Sequence, residues 1–334
     1  MLRFPVAEFA SGASQRLLPD ASADRVTFVG SLAEYVAQGL DRTPEVRDPA
    51  RQGALTDRFL RPALPGLRAL FLELRTGLDT ALREAQPARG GKPYPLGQCL
   101  EITLAVERRL EDLAPGQFEG AAAEACAAFL AFRAAGGEVR RAWGDLRGQF
   151  FQNALIVGTL YVDVANDTVV TTKPPVEILP FPDADFRPIA DYVHFARIAQ
   201  RYWKHDILPN HLAPELAPYF PLIQISPSGA IRVGPAGSPL LSLTLSQGFH
   251  PSERALAGPA MPALFFDSLR AALGDAPAAV AADPEQGRAA AIANCIRYRA
   301  EARFDSAKAF NRAMVGRQAL NGALARLVAV PGVG

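Results

Sequence analysis

Large apolar residues at Leu55, Phe59, Leu67, Leu70, Phe71, Leu74, Leu78 and Leu82 recur mostly at steps of three and four. That period commits the stretch to amphipathic helix. Pro62 and Pro65 interrupt it early. A short helix is therefore expected before them and a long one over residues 65–85. Residues 87–95 contain Gly90, Gly91 and several prolines and form a firm break. The glycine pair is not followed by Gly-Lys-Ser or Gly-Lys-Thr, so it does not read as a phosphate loop.

Further helices are expected around this one. Ser31 suits an N-cap for a short helix up to Gly39, with Glu34 three residues on. Residues 1–24 read as an extended lead-in and 42–51 as a loop. Two more helices are expected over 96–113 and 119–135, the second rich in alanine and stopped by Gly136 and Gly137.

The character changes after Gly137. Residues 138–149 read as a helix. Residues 154–164 and 168–172 are rich in Val, Ile, Thr and Tyr and read as a hairpin turning at 165–167. The alternative is that the preceding helix runs on through Val157. A helix is expected from Phe186 or Pro188 to about Asp206. Short strands are expected over 222–226 and 230–233, around Ser228-Gly229, and over 239–246. The tail reads as a helix over 261–273, an Ala/Pro linker over 275–283, and one long or two broken helices from Pro284 to about Leu327. Pro331 onward reads as a frayed end.

The expected fold class is α+β and mainly helical. An N-terminal helical cluster (1–137) precedes a mixed region (138–274), in which a small antiparallel or mixed sheet packs with helices. A C-terminal helical region (275–334) completes what is expected to be one compact unit. With 334 residues and 49% hydrophobic content, the chain is long enough for a sizeable core.

Charge narrows the partners. The 35 basic and 34 acidic residues nearly cancel, which gives no general pull toward nucleic acid or anionic lipid. Lysine occurs only at positions 92, 173, 204 and 308, so nearly all positive charge is arginine. Cys99, Cys126 and Cys295 match neither a disulfide framework nor a zinc or iron–sulfur spacing. No secretory leader is read at the start. Residues 150–164 are too broken by polar residues to span a membrane. A cytoplasmic location is the default expectation.

The histidines are His194, His205, His211 and His250. On a helix reaching Asp206, Arg201 and His205 each fall about 20° from His194, on opposite sides of it, and Asp191 lies roughly 60° away. They would form a polar stripe. Eleven residues of helix separate the two histidines by about 16 Å, so they cannot share a metal on one straight helix. Asp163 is the second candidate. On a strand it shares a face with Tyr161, while Val162 and Val164 face the other way. A carboxylate in such an apolar run needs an arginine, a histidine or a ligand. Arg147, Gln149, Gln152 and Asn153 precede this strand and form a third candidate, with Thr171, Thr172 and Lys173 as its continuation. Arg297, Arg299, Arg303 and Arg312 form a fourth; intrachain carboxylates are their expected partners.

These features suggest an enzyme or ligand-binding protein. His194, His205 and Asp163 would move protons in a shared cleft, and Arg147, Asn153, Arg201 and Lys173 would hold a small anionic metabolite. One alternative is a peptide-binding or scaffold protein without catalysis. Another is a non-zinc metalloenzyme with a convergent His/Asp site. No structural zinc, nucleotide fingerprint, nucleophile elbow or nucleic-acid module is read in the sequence. A homodimer through Ala293, Ile296, Phe304 and Phe310 is set against intrachain packing of the same residues.

Overall fold

The computed structural model describes residues 8–11, 29–234, 237–274 and 280–330. It is 52% helix, in eleven helices among the described residues, and 15% strand, with antiparallel sheets packed against helices. This is the α+β class expected from the sequence. Most of the lead-in, residues 275–279 of the linker and the last four residues lie outside the described set.

The chain forms two compact units, residues 42–188 and residues 1–41 with 189–334. These divisions fall elsewhere than the regional boundaries at 137 and 274. The discontinuous unit opens with β1 (Glu8–Ser11) and α1 (Leu32–Leu40). Ser31 caps α1, its hydroxyl accepting from the Glu34 amide.

The 42–188 unit begins with α2 (Pro49–Leu55), a π-turn over Thr56–Leu60, and α3 (Leu64–Ala85). The two-residue strands β2 (Ala88–Arg89) and β3 (Lys92–Pro93) form a small hairpin before α4 (Cys99–Glu111) and α5 (Gly120–Ala134). Then come β4 (Val139–Leu146), β5 (Phe150–Val157), β6 (Leu160–Asp163), β7 (Glu177–Pro180) and β8 (Phe186–Arg187). They make one antiparallel sheet in the order β7-β6-β5-β4-β8. Leu155, Val157, Leu160 and Val162 face the helices and join a core with Leu67, Phe71, Ile102 and Phe129. Phe71 and Phe129 meet edge to face at 6.1 Å. Ala142, Ala154, Ile156 and Tyr161 occupy the opposite face, covered by Ala184 and Phe186.

Two expectations are corrected here. Residues 139–146 are a strand, not a helix. All eight residues but Val139 and Trp143 are buried, so burial on both faces erases the alternation by which strands are read. The hairpin turns at Gly158-Thr159 rather than at 165–167, and residues 168–172 are turns. Gly158 has φ +60°, and a β-carbon there would strike the Thr56 hydroxyl, which accepts from the Thr159 amide. Asn166 and Thr168 instead close the turn between β6 and β7 through bonds to Pro174 and Ala165 carbonyls.

The discontinuous unit resumes with α6 (Tyr192–Tyr202), β9 (Asp206–Pro209), β10 (Leu222–Ile225) and β11 (Ile231–Gly234). It continues through α7 (Ser238–Ser246), α8 (His250–Leu256), α9 (Ala263–Leu273), α10 (Pro284–Ala300) and α11 (Ala307–Leu324) to β12 (Leu327–Val330), which pairs with β1. The antiparallel sheet β11-β10-β9 lays Leu208, Ile223, Ile231 and Val233 on the core. Asn321 of α11 accepts from the Val233 amide at 2.7 Å and donates to its carbonyl at 3.2 Å. Its side-chain amide thereby stands in for a neighbouring strand. Asn311, ten residues earlier, holds Val29 the same way.

Residues 239–246, expected as a strand, lie in α7. Pro239 sits in the first turn, where its missing N–H is tolerated. Leu240, Leu241 and Leu245 are all buried, so the segment shows neither period clearly.

Candidate functional site

Asp163 ends β6 with its side chain fully enclosed. The Gln152 amide donates to Oδ2 at 2.6 Å, the Tyr161 hydroxyl donates to Oδ2 at 3.0 Å, and the Ala165 backbone N–H donates to Oδ1 at 2.8 Å. Strand alternation produces the set: Tyr161 and Asp163 share a face, and Gln152 lies on the same face of neighbouring β5. Burial pushes the Asp163 carboxyl up to about 6, although the three donors oppose the rise. Glu177 stands opposite Asp163 in the β6–β7 pair and adds to it. The expected arginine or histidine partner is replaced by neutral donors.

Arg147 binds Glu177 at 2.7 Å and the Ala184 carbonyl, and its backbone is left-handed, with φ +60°. It is committed to an internal carboxylate. Asn153 is buried on the helix-facing side of β5. Its Oδ1 accepts from Arg141 at 3.5 Å, and its Nδ2 donates to the Cys99 sulfur at 3.6 Å. Arg141 in turn pairs with Glu107. Lys173 lies in a turn, its amide bonded to the Val170 carbonyl. Asp163 and Asn153 thus project from opposite faces of one sheet.

His194, Arg201 and His205 belong to the other unit. Asp191 caps α6 by accepting from the His194 amide at 2.8 Å, and His194 Nδ1 accepts from the Ala190 amide at 3.2 Å. His194 thus closes the start of α6 by accepting from the residue before the cap, one position earlier than the third-position glutamate of a capping box does. Arg201 is exposed in the last turn. The helix stops at Tyr202, and Lys204 takes a left-handed φ of +58°. His205 is therefore off the helix, and the angular alignment expected for it does not apply.

Instead His205 enters β9 beside aromatic rings. Its ring centroid is 5.5 Å from that of Trp203, which meets Phe195 edge to face at 5.9 Å. Trp203 remains 37% exposed. Gln224 and the charge of Arg232 both act on the His205 ring. Gln224 and Arg232 sit directly opposite each other in β10 and β11. Burial is the main cause lowering the His205 pKa; Arg232 lowers it further, against Gln224 and Asp206. Nδ1 of His205 is enclosed and lacks a hydrogen-bond partner among the described residues.

Gln224 and Arg232 were not singled out in the sequence. The signal was present: they stand symmetrically about Ser228, as cross-strand partners of a hairpin turning there.

The remaining candidates resolve into structure. His211 is fully buried; its Nδ1 accepts from the Met261 amide, so its Nε2–H donates to the Leu256 carbonyl at 3.0 Å. Arg297 binds Glu215, Arg299 binds Glu253, and Arg303 binds Glu301 while lying over the Tyr298 ring. The expected intrachain carboxylates are the partners found for these three. Phe304 and Phe310 pack in the core of their own unit, whereas Ile296 is exposed. All three cysteines are free thiols, and burial raises the pKa of each, that of Cys295 to about 12. Thiols so held are poor nucleophiles at neutral pH.

Among the described residues, no group of three or more His, Cys, Asp or Glu is placed to hold a metal ion, and no helix is long and apolar enough to cross a membrane. The chain is an α+β protein whose described residues include a sealed carboxyl network around Asp163 and an aromatic cluster at His205 on which Arg232 acts. No protein-family model matches it, and neither the curated proteins nor the solved structures provide a significant match.

Proposed function

We propose that this chain is a ligand-binding protein that takes a small anionic ligand on the α6–β9 surface. Trp203 supplies an exposed flat platform, and His205 with Arg232 supplies the positive end. The single observation that carries the reading is the His205 ring. Trp203 packs near it, and its enclosed Nδ1 has no partner among the described residues. Buried polar atoms normally have one. A ligand that displaces what covers this nitrogen meets an acceptor or donor with no partner to give up. A protonated His205 can then donate to an anion also held by Arg232. In this reading Asp163 is a structural carboxyl, because its oxygens are enclosed and engaged by three donors.

The test is fluorescence of Trp203 in a Trp143→Phe background, titrated with phenyl phosphate, inorganic phosphate and an acidic nonapeptide. Saturable change with phenyl phosphate, weaker with phosphate, is expected. His205→Gln or Arg232→Gln should weaken it by at least about tenfold. Saturation by the peptide alone would replace this reading with the peptide-binding one. No saturation by any of the three removes the surface as a binding site.

A further inference from the structure

We infer that a cleft between α3 and α4 is a binding site for a free amino acid with an apolar side chain. The cleft has a volume of about 250 Å³ and is lined by Glu73, Leu74, Gly77, Arg109, Gln117 and Phe118. That is below the roughly 300–1,000 Å³ typical of sites for drug-sized molecules, so the occupant is small. This inference is independent of the surface around Trp203.

The charges define the ligand. Glu73 and Arg109 line the same cleft, one from each helix. Both side chains are exposed, and neither makes an ion pair among the described residues. A ligand bearing both an ammonium and a carboxylate satisfies the two together. The planar Arg109 guanidinium suits the carboxylate, and Glu73 suits the ammonium. Leu74 is buried and Phe118 half-buried, and both belong to the adjoining core, so they form an apolar wall for the side chain. Gln117 is fixed at the rim: its side chain accepts from the Ala114 amide and donates to the Asp112 carbonyl.

Gly77 is the independent observation. It lies inside the 22-residue helix α3, one turn after Glu73. A β-carbon at Gly77 would meet nothing within 4 Å, and its φ is not in the left-handed region. Glycine is the least helix-favouring residue apart from proline. No packing or backbone demand in this structure accounts for it. A ligand brought against the exposed helix backbone in the cleft does account for it.

Calorimetric titration of the full chain with L-leucine, L-phenylalanine, N-acetyl-leucine and leucinamide tests the assignment. The two free amino acids should bind, and the two blocked compounds should bind at least about tenfold more weakly. Glu73→Gln should erase the preference for leucine over N-acetyl-leucine, and Arg109→Gln the preference over leucinamide. Gly77→Leu should abolish binding while the melting temperature holds or rises, which separates a filled cleft from a damaged fold. Equal binding of free and blocked compounds overturns the proposal. So does an absence of binding at about 10 mM, or full affinity in Gly77→Leu.

Discussion

Gln152 Nε2 lies 2.6 Å from Oδ2 of Asp163, and both side chains are sealed inside the 42–188 unit. The pair joins neighbouring strands at the end of the sheet where β7 brings Glu177 opposite Asp163. Because burial holds the carboxyl at about 6, the folded chain keeps its proton where the unfolded chain has lost it. The stabilisation linked to this group is therefore complete below pH 4 and fades as pH rises to 6. A carboxyl titrating near 6 rather than near 4 corresponds to roughly 3 kcal/mol. Asp163→Asn should flatten that part of the stability profile, measured by urea denaturation from pH 4 to 7. An unchanged slope between pH 4 and 6 would sink the assignment.

Arg75 is 1% exposed within α3, where its Nε donates to the Val164 carbonyl at 3.1 Å. Its guanidinium pairs with Asp79 and Asp167 and lies 5.5 Å from the Tyr94 ring centre, while the Tyr94 hydroxyl donates to Asp79. Arg75→Leu strands both carboxylates and the carbonyl. The expected loss is about 3–5 kcal/mol, as when one partner of a buried pair is removed. Arg75→Leu combined with Asp79→Leu should recover part of it. A single variant within 1 kcal/mol of the parent in chemical denaturation would contradict this account.

The helices α3, α4 and α5 were legible because each has one face on the core and one in water, so Leu67, Leu70, Phe71 and Leu74 keep the helical period. β10 and β11 were legible because Gln224 and Arg232 alternate with core residues about Ser228-Gly229. β4 and α7 were not, because most of their residues are enclosed and no polar face marks the period. At the candidate site, strand alternation already put Tyr161 on the face of Asp163, but only the register of β5 against β6 decided that Gln152 is its cross-strand partner. The stripe through His205 assumed helix up to Asp206. A single left-handed residue, Lys204, moved the histidine onto the approach to β9.

Gly287 of α10 lies against the carbonyl oxygen of His211, so closely that a β-carbon could not be placed without moving backbone. That backbone is held on both sides, since His211 ties Met261 to the end of α8 through its two ring nitrogens. Gly287→Ala should destabilise the chain by about 1–3 kcal/mol despite alanine's better helix propensity. Gly77→Ala, with open space around it, should instead stabilise by about 0.5–1 kcal/mol. Thermal melts of the two variants should move in opposite directions; a rise in both would remove the steric role of His211.

Anion binding at the Trp203 surface carries its own pH signature. Burial and the Arg232 charge hold His205 below the ordinary histidine range, so its ring is mainly neutral at pH 7 in the free protein. On its own, this lowered pKa favours the fold above the ordinary histidine pKa and loses that contribution as pH falls through the lowered value. An anion reverses the local preference, because the protonated ring donates to it and gains a counter-charge. Binding should therefore take up a proton, and affinity should rise as pH falls from 7.5 toward 5.5, by at most about tenfold per pH unit. Titration of the Trp143→Phe protein with phenyl phosphate across that range measures the slope, using Trp203 emission. Phenyl phosphate gains its own second negative charge as pH rises, which opposes the trend, so phenylsulfonate, with one fixed charge, is the sharper probe. His205→Gln should bind it weakly and without pH dependence. A wild-type affinity for phenylsulfonate that is flat, or that increases with pH, would exclude His205 as the group that meets the anion.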